Sequence, residues 1–319
     1  MSKSLLSINN NTHEAFAPVI TVQMPVFNGE KYLEEAIESI LNQSFSDFEF
    51  LILNDGSTDD SLQILYHYAE RDSRIRLINR ENRGLGTTQH ELAELAQGEF
   101  IAQLDQDDVA LPSRLELQFN FLRKNPRVVA VSGAYQLIDS ADRYITTMVL
   151  PNSNKEIQTL LLEGHCALHH PASMMRNKQV KSVGGYDKTL NLATDFDLWL
   201  RLGEVGELAN ISEVVLKYRL HDRSASESSG KRQSEEMRGA CVNAWQRRNI
   251  TCEFTARELW RPGPSRASQH KFMLKYGWWA WNSWQRRTAV YYGLKAITLK
   301  PLSVASWTLL IVSLLKSHR

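Results

Sequence analysis

Strand and helix patterns that take strict turns between Pro18 and Asp108 predict an α/β fold with a mostly parallel sheet. Two further observations agree. Each apolar run ends in residues of turn chemistry, and Asn28, Asp55 and Asp107 all fall just past a strand end. Open α/β sheets bind ligands there, so these three should converge on one crevice.

The elements follow in order. Val19-Ile20-Thr21-Val22 reads as a buried strand ending at Pro25-Val26-Phe27-Asn28-Gly29. Asn28 is a plausible N-cap for a helix whose apolar positions are Leu33, Ile37, Ile40 and Leu41. Phe48 to Leu53 is the next strand, and Ser57 or Thr58 can cap the helix through Leu62, Leu65 and Tyr68. Ile75 to Ile78 is a third strand, Thr87 to Ala96 a helix, and Glu99 to Leu104 the fourth strand. Leu111-Pro112-Ser113-Arg114 looks like a helix start. Short strands are expected at Val128–Val131 and Tyr144–Thr147, then a helix at Glu156–Glu163 and a His-rich stretch from His165 to His170. An amphipathic helix spans Asp195–Leu202, and a late strand runs from Val214 to Arg219. The Ser-rich stretch Ser224–Ser234 reads as a linker, and helices with most of the tryptophans follow it. The expected organisation is a flexible tail at 1–17, one α/β domain at 18–222, and a linker with a helical region at 223–319.

Bulk properties narrow the function classes. An apolar fraction of 43% and a charged fraction of 23% are ordinary for a globular chain. A formal net charge of +1 gives no reason to expect nucleic acid as a partner. Cys166, Cys241 and Cys252 form no CxxC pair and leave an odd count, which favours a reducing compartment over a disulfide framework or a zinc site. Met1 to Ala17 is polar, without the apolar core of a signal peptide, so a cytoplasmic location is the default expectation.

The chemistry concentrates in Leu104-Asp105-Gln106-Asp107-Asp108, three carboxylates in four positions behind the apolar Phe100-Ile101-Ala102. Carboxylates this close repel one another unless a cation sits among them. Hard oxygen ligands suit Mg²⁺ or Mn²⁺. The same residues also read as a solvated acidic turn before the next helix.

The order of motifs resembles the inverting glycosyltransferases of family 2, which have a GT-A fold. The matching pieces are Met24-Pro25-Val26-Phe27-Asn28-Gly29, Leu53-Asn54-Asp55-Gly56-Ser57-Thr58-Asp59, Glu81-Asn82-Arg83-Gly84-Leu85, Leu104 to Asp108, Gly184-Gly185-Tyr186-Asp187, Asp195-Phe196-Asp197-Leu198-Trp199 and Tyr218-Arg219-Leu220-His221. They cover about two-thirds of the chain. The resemblance implies a Rossmann-like sheet flanked by helices with a C-terminal helical extension. It also implies a nucleotide-sugar donor held by Pro25, Phe27, Asn28, Asp55, Arg83, Asp105 and Asp107. Asp55 matches the acceptor for the pyrimidine N3–H of a UDP- or dTDP-sugar, a bond that an ionised carboxylate strengthens. Asp105 and Asp107 match the DxD pair that holds Mn²⁺ or Mg²⁺, Asp107 as the direct ligand and Asp105 as the contact to ribose or to the metal's water shell; Asp108 reads as structural or as a contact to the donor sugar.

Asp195 matches the general base, although Thr194 stands where the family usually has Glu. Gly185, Tyr186, Trp199 and His170 fall on the acceptor side, Trp199 as part core and part wall, and His170 beside a structural reading. His221 either completes the metal shell or is a loop histidine. Thr87 to His90 departs from the family pattern and receives no role. The acceptor implied is a glycan or a lipid-linked sugar, as in bacterial surface-glycan synthesis. Absence of a QxxRW motif favours one sugar per encounter.

Two alternatives come from other classes: a sugar-phosphate nucleotidyltransferase, which would need a Gly-rich phosphate loop where Met24–Lys31 has one glycine, and a non-catalytic nucleotide- or carbohydrate-binding module. The tail also reads two ways. Leu302–Leu315 is too short to span a bilayer, for which about 20 residues are typical. Trp278, Trp279, Trp281 and Trp284 beside Arg286-Arg287 suit peripheral contact with the inner face of the cytoplasmic membrane. They also suit a helical hairpin packed on the catalytic domain or on a partner subunit, the reading preferred from sequence because periodic tryptophans are more often core than anchor.

Overall fold

The computed structural model of the protein describes residues 18–221, 230–256, 262–263 and 265–315. The first half alternates without exception: β1 (Ile20–Val26), α1 (Leu33–Leu41), β2 (Phe48–Asp55), α2 (Ser61–Ala69), β3 (Ile75–Arg80), α3 (Leu85–Leu95) and β4 (Phe100–Gln103). These strands lie parallel in the order β3-β2-β1-β4. Every residue of β2 is buried, as a strand covered on both faces requires.

The second half widens the sheet. It comprises β5 (Val109–Ala110), α4 (Arg114–Lys124), β6 (Val128–Asp139), β7 (Tyr144–Met148), α5 (Asn154–Leu162), a 3₁₀ turn (His170–Ala172), β8 (Met174–Arg176), α6 (Asn177–Ser182), α7 (Thr194–Val205) and β9 (Glu207–Leu220). The order continues β4-β8-β6-β9-β5, with β7 on β6, which makes nine strands among the described residues. β8 runs antiparallel to β4 and β6, while the long ladder between β6 and β9 is parallel. Parallel pairing therefore dominates, and the architecture is the expected α/β one with helices on both sides.

Several local expectations need correction. Asn28 does not cap α1: its φ is +50°, α1 begins at Leu33, and Tyr32 at the N-cap makes no side-chain bond. Neither Ser57 nor Thr58 caps α2, which starts at Ser61 with Asp59 Oδ1 accepting its N–H. Instead the two loops bind each other. Asn28 Oδ1 accepts from the Thr58 N–H at 2.8 Å, and the Asn28 N–H donates to Ser57 Oγ at 3.0 Å. Polar turn residues that read as caps for their own helices thus join the ends of β1 and β2. β6 and β9 are also longer than their apolar runs suggest. Gly133 lets β6 pass Val215, whose Cγ2 would stand 2.7 Å from an added Cβ, and the ladder shifts register there.

The tail forms α8 (Gly230–Arg248), α9 (Arg266–Asn282), α10 (Arg286–Leu299) and α11 (Val304–Leu315). The expected flexible segment 1–17 lies outside the described residues, as does 224–229 of the expected linker. The rest of that linker, from Gly230 to Ser234, is the first turn of α8. α8 packs on α7 and α5, whereas α9 and α10 pack on β7. Phe272, Tyr276, Ala280, Ala289 and Tyr292 join the cluster that holds Tyr135 and Ile145. No described helix is long and apolar enough to cross a membrane.

Candidate active site

The carboxyl ends of β1, β2 and β4 deliver their loops to one edge. Asp55, at the end of β2, is 4% exposed and already engaged. Its Oδ1 accepts from the Arg83 N–H at 2.8 Å and pairs with Arg80, and its Oδ2 accepts from the Gly84 N–H at 3.0 Å. An ionised carboxylate offers about four acceptor positions. One remains on Oδ2. The Arg83 side chain is exposed and pairs with Glu91. Arg80, which no motif singled out, is the cation that fixes Asp55.

Beyond β4, side-chain oxygens of Asp105, Asp107 and Asp108 lie within 4.8 Å of one another. That spread suits a single ion bound at about 2.0–2.6 Å per oxygen, and the donor set is the hard one that Mg²⁺ or Mn²⁺ takes. Asp105 and Asp107 are partly exposed, whereas Asp108 is fully buried and its Oδ1 accepts from the Arg219 N–H at 2.9 Å. Gln106 faces the other way. Its amide holds both the N–H and the C=O of Phe27, at 2.8 and 3.0 Å, and so ties the β1 loop to the acidic loop. Phe27 and Asn28 are exposed beside that tie, and Pro25 sits at the end of β1.

Two buried arginines support the acidic loop. Arg114, on α4, donates to the carbonyls of Gln103 and Ser173. Burial pulls its pKa down to about 9 while Asp108 and Asp105 hold it up, so it stays charged at neutral pH and offsets the carboxylates. Arg219 donates to the Asp107 carbonyl at 3.0 Å, pairs with Glu35 and Asp142, and lies under the Tyr32 ring. His221 is no free loop residue: its Nε2 stands 2.6 Å from Asp107 Oδ2.

The residues that the resemblance puts on the acceptor side are more buried than the sequence suggests. Tyr186 and Trp199 are each 1% exposed. Trp199 is therefore core, with its ring centroid 5.9 Å from that of His170, and not an open wall. Burial lowers the His170 pKa, with Arg114 adding to it and Asp195 opposing, so the ring is neutral. A neutral Nε2 can accept the proton of the Tyr186 hydroxyl at 2.8 Å, and the Gln103 amide donates to the same oxygen at 3.0 Å. Burial raises the Tyr186 pKa well above 10, and the negative charges of Asp195 and Asp105 raise it further.

The Gly184-Gly185 turn, with φ of +85° and +67°, is held by Arg201, which donates to the Val183 and Gly185 carbonyls at 2.7 Å and pairs with Asp197. His90 Nδ1 meets the Tyr186 carbonyl at 2.7 Å, so the unassigned Thr87–His90 segment reaches the Gly185-Tyr186 turn. Asp195 sits in the first turn of α7, partly exposed. The loop before it is held from the tail, where Glu236 Oε2 on α8 accepts from the N–H groups of Asn191, Leu192 and Ala193. No local signal marked Glu236, because its partners lie more than forty residues away.

The family model for Glycosyl transferase family 2 matches residues 21–184. The O-antigen biosynthesis glycosyltransferase WbnJ of Escherichia coli is 34% identical over 215 residues, which cover 66% of this chain and 83% of that protein. The chain belongs to glycosyl transferase family 2. Its class of activity is glycosyl transfer, which sets aside the nucleotidyltransferase alternative. Solved structures agree on the fold. Staphylococcus aureus TarS 1–349, in complex with UDP-GlcNAc, superposes with a TM-score of 0.53 at 16% identity, covering 92% of this chain and 79% of that one. The mannosyltransferase PcManGT of Pyrobaculum calidifontis, in complex with GDP-Man and Mn²⁺, gives 0.50 at 16% identity, covering 95% and 77%. The GT-A architecture with C-terminal helices is thus that of this family 2 chain.

Proposed function

We propose that this family 2 glycosyltransferase moves a sugar from a UDP- or dTDP-sugar to a hydroxyl of a glycan or lipid-linked acceptor, with inversion and one sugar per encounter. The observation that carries the reading is the cluster of Asp105, Asp107 and Asp108 just past β4, tied through Gln106 to Phe27 of the β1 loop.

Asp107 and Asp105, with His221 beside them, would hold Mn²⁺ or Mg²⁺, which when bound would supply Lewis-acid charge for the departing diphosphate. The protein supplies the rest. Asp195 takes the proton of the acceptor hydroxyl as that oxygen attacks the anomeric carbon. The attack comes from the face opposite the leaving group, so one displacement inverts the centre. Gln106 and the interlocked Asn28, Ser57 and Thr58 hold the two donor loops in register. The remaining acceptor position on Asp55 Oδ2 takes the pyrimidine N3–H, and Arg80 with the Arg83 and Gly84 N–H groups holds that carboxylate in place. Gly185 and Tyr186 shape the acceptor side through the turn that His90 and Arg201 fix, and His170 braces Tyr186 from below. An acceptor in surface-glycan synthesis accords with the activity in the name of the E. coli relative.

A thermal-shift panel of UDP, dTDP, GDP and CMP, each with and without Mn²⁺, tests donor and metal together, because a ligand of the folded state raises stability by mass action. UDP or dTDP with Mn²⁺ should give the largest shift. A clear preference for GDP would remove the role given to Asp55.

A further inference from the structure

α11 is built inside out. Its inward face carries Ser306 and Ser313 with Leu309 and Leu310, all buried. Ser306 Oγ meets His270 Nε2 at 2.8 Å, and Ser313 Oγ donates to the Leu309 carbonyl at 2.7 Å. Glycines allow this docking: a Cβ on Gly277 of α9 would collide with Leu309, and one on Gly293 of α10 would press on the backbone of Leu310 at 3.3 Å. The outward face carries Val304, Trp307, Ile311, Leu314 and Leu315, exposed by 80, 47, 50, 47 and 79%. At about 100° per residue these five share one arc roughly 100° wide along the helix. Leu302, 95% exposed, continues that apolar surface at the turn before α11. A helix whose serines face inward and whose large apolar side chains face outward is not finished by water.

Charge identifies the occupant. Leu259 to Arg319 contains ten lysines and arginines and no Asp or Glu. Lys300 lies two positions before Leu302, and Arg286, Arg287 and Lys295 on α10 are exposed. A second copy would bring like charge against like charge across that face. An anionic lipid surface supplies both the apolar phase and the counter-charge. Trp307 fits a bilayer interface as well, since its indole N–H is satisfied internally by the Pro301 carbonyl at 2.8 Å while the residue stays about half exposed.

We infer that α11 and the basic rim around it form a membrane-docking face, seated on anionic lipid with Trp307, Ile311 and Leu315 entering the headgroup boundary. The sequence offered membrane contact and packing on the catalytic domain as alternatives for the whole tail. The structure divides them between helices: α9 and α10 pack on the sheet, and α11 is left outward. This face stands whether or not the donor and acceptor proposed above are right.

The test uses the full chain in flotation with phosphatidylcholine vesicles, either neutral or with about one-third phosphatidylglycerol. The parent should float with the anionic vesicles and not the neutral ones, and raising salt from about 0.1 M to about 0.5 M should weaken binding by shortening the screening length. Ile311→Asp/Leu315→Asp should keep the parental melting temperature, because both side chains are exposed, and lose at least tenfold in vesicle binding. Lys295→Glu/Lys300→Glu should lose binding to a similar extent. Failure of the parent to float, or parental binding by the Ile311→Asp/Leu315→Asp variant, overturns the inference. So does a parental dimer in lipid-free light scattering that the same variant converts to monomer, since that would make the face a subunit interface.

Discussion

Asp195→Asn keeps volume and hydrogen-bonding shape but removes the proton acceptor. General-base catalysis contributes about 10²–10⁴-fold, so turnover should fall by that order while affinity for UDP with Mn²⁺ stays within a few-fold. Steady-state rates beside a binding titration check both halves; near-parental transfer would move the base elsewhere. Asp107→Ala should instead abolish the Mn²⁺-dependent part of nucleotide binding together with transfer. Asp108→Ala should keep most donor binding and show its effect in melting, because the Arg219 N–H would lose its buried acceptor, a cost of about 1–3 kcal/mol. Equal donor affinity of the two variants would contradict the ligand assignment. At this scale the sequence exposed the acidic run, Asp55 and Asp195, since each sits at an element end within a local motif. It concealed the side chains that aim them. Arg80, His90 and Arg114 reach their partners across the fold, and no spacing rule detects such reach.

Between elements, the decisive contacts are those that hold the loop before α7. That helix starts without a side-chain cap, its N-cap position being Ala193. Glu236 from α8 takes the role, accepting three backbone N–H groups and placing negative charge at the positive end of α7. Glu236→Ala should therefore cost about 1–3 kcal/mol of stability, seen as a lower melting temperature. It should also reduce turnover more than nucleotide binding, because Asp195 lies on the first turn while the donor loops stand on β1, β2 and β4. Unchanged melting and unchanged rate would show that the loop holds itself. The sequence identified α7 by its amphipathic period and the core strands by their apolar runs. It underestimated β6 and β9, whose continuations pass through Ser132-Gly133 and Asn210 to Glu213, where Ser132 Oγ donates to the His169 carbonyl and the Asn210 amide donates to the Pro151 and Ala167 carbonyls.

At the scale of the molecule, the tail is part of the catalytic domain's core. Phe272 and Tyr276 of α9 and Tyr292 of α10 are nearly fully buried against the β6–β7 side of the sheet. The Tyr292 hydroxyl donates to Asp139 Oδ2 at 3.1 Å, Ser283 Oγ donates to Thr146 Oγ1 at 2.8 Å, and Arg143 lies 3.6 Å over the Tyr291 ring. Asp139 opens the turn that presents Asp142 to Arg219, which in turn holds the Asp107 carbonyl. Burying one large apolar side chain stabilises by about 1.5–3 kcal/mol, so three aromatics alone approach the whole stability of about 5–15 kcal/mol that a domain has. Deleting Lys271 to Arg319 should consequently give aggregated or unfolded protein, with loss of the cooperative melt and of nucleotide binding together. A truncated chain that stayed monomeric, melted cooperatively and still bound UDP with Mn²⁺ would show the tail to be an appendage. The milder Ile311→Asp/Leu315→Asp change touches only the outward face of α11, so its melt should match the parent, and the contrast between the two separates the packed helices from the exposed one.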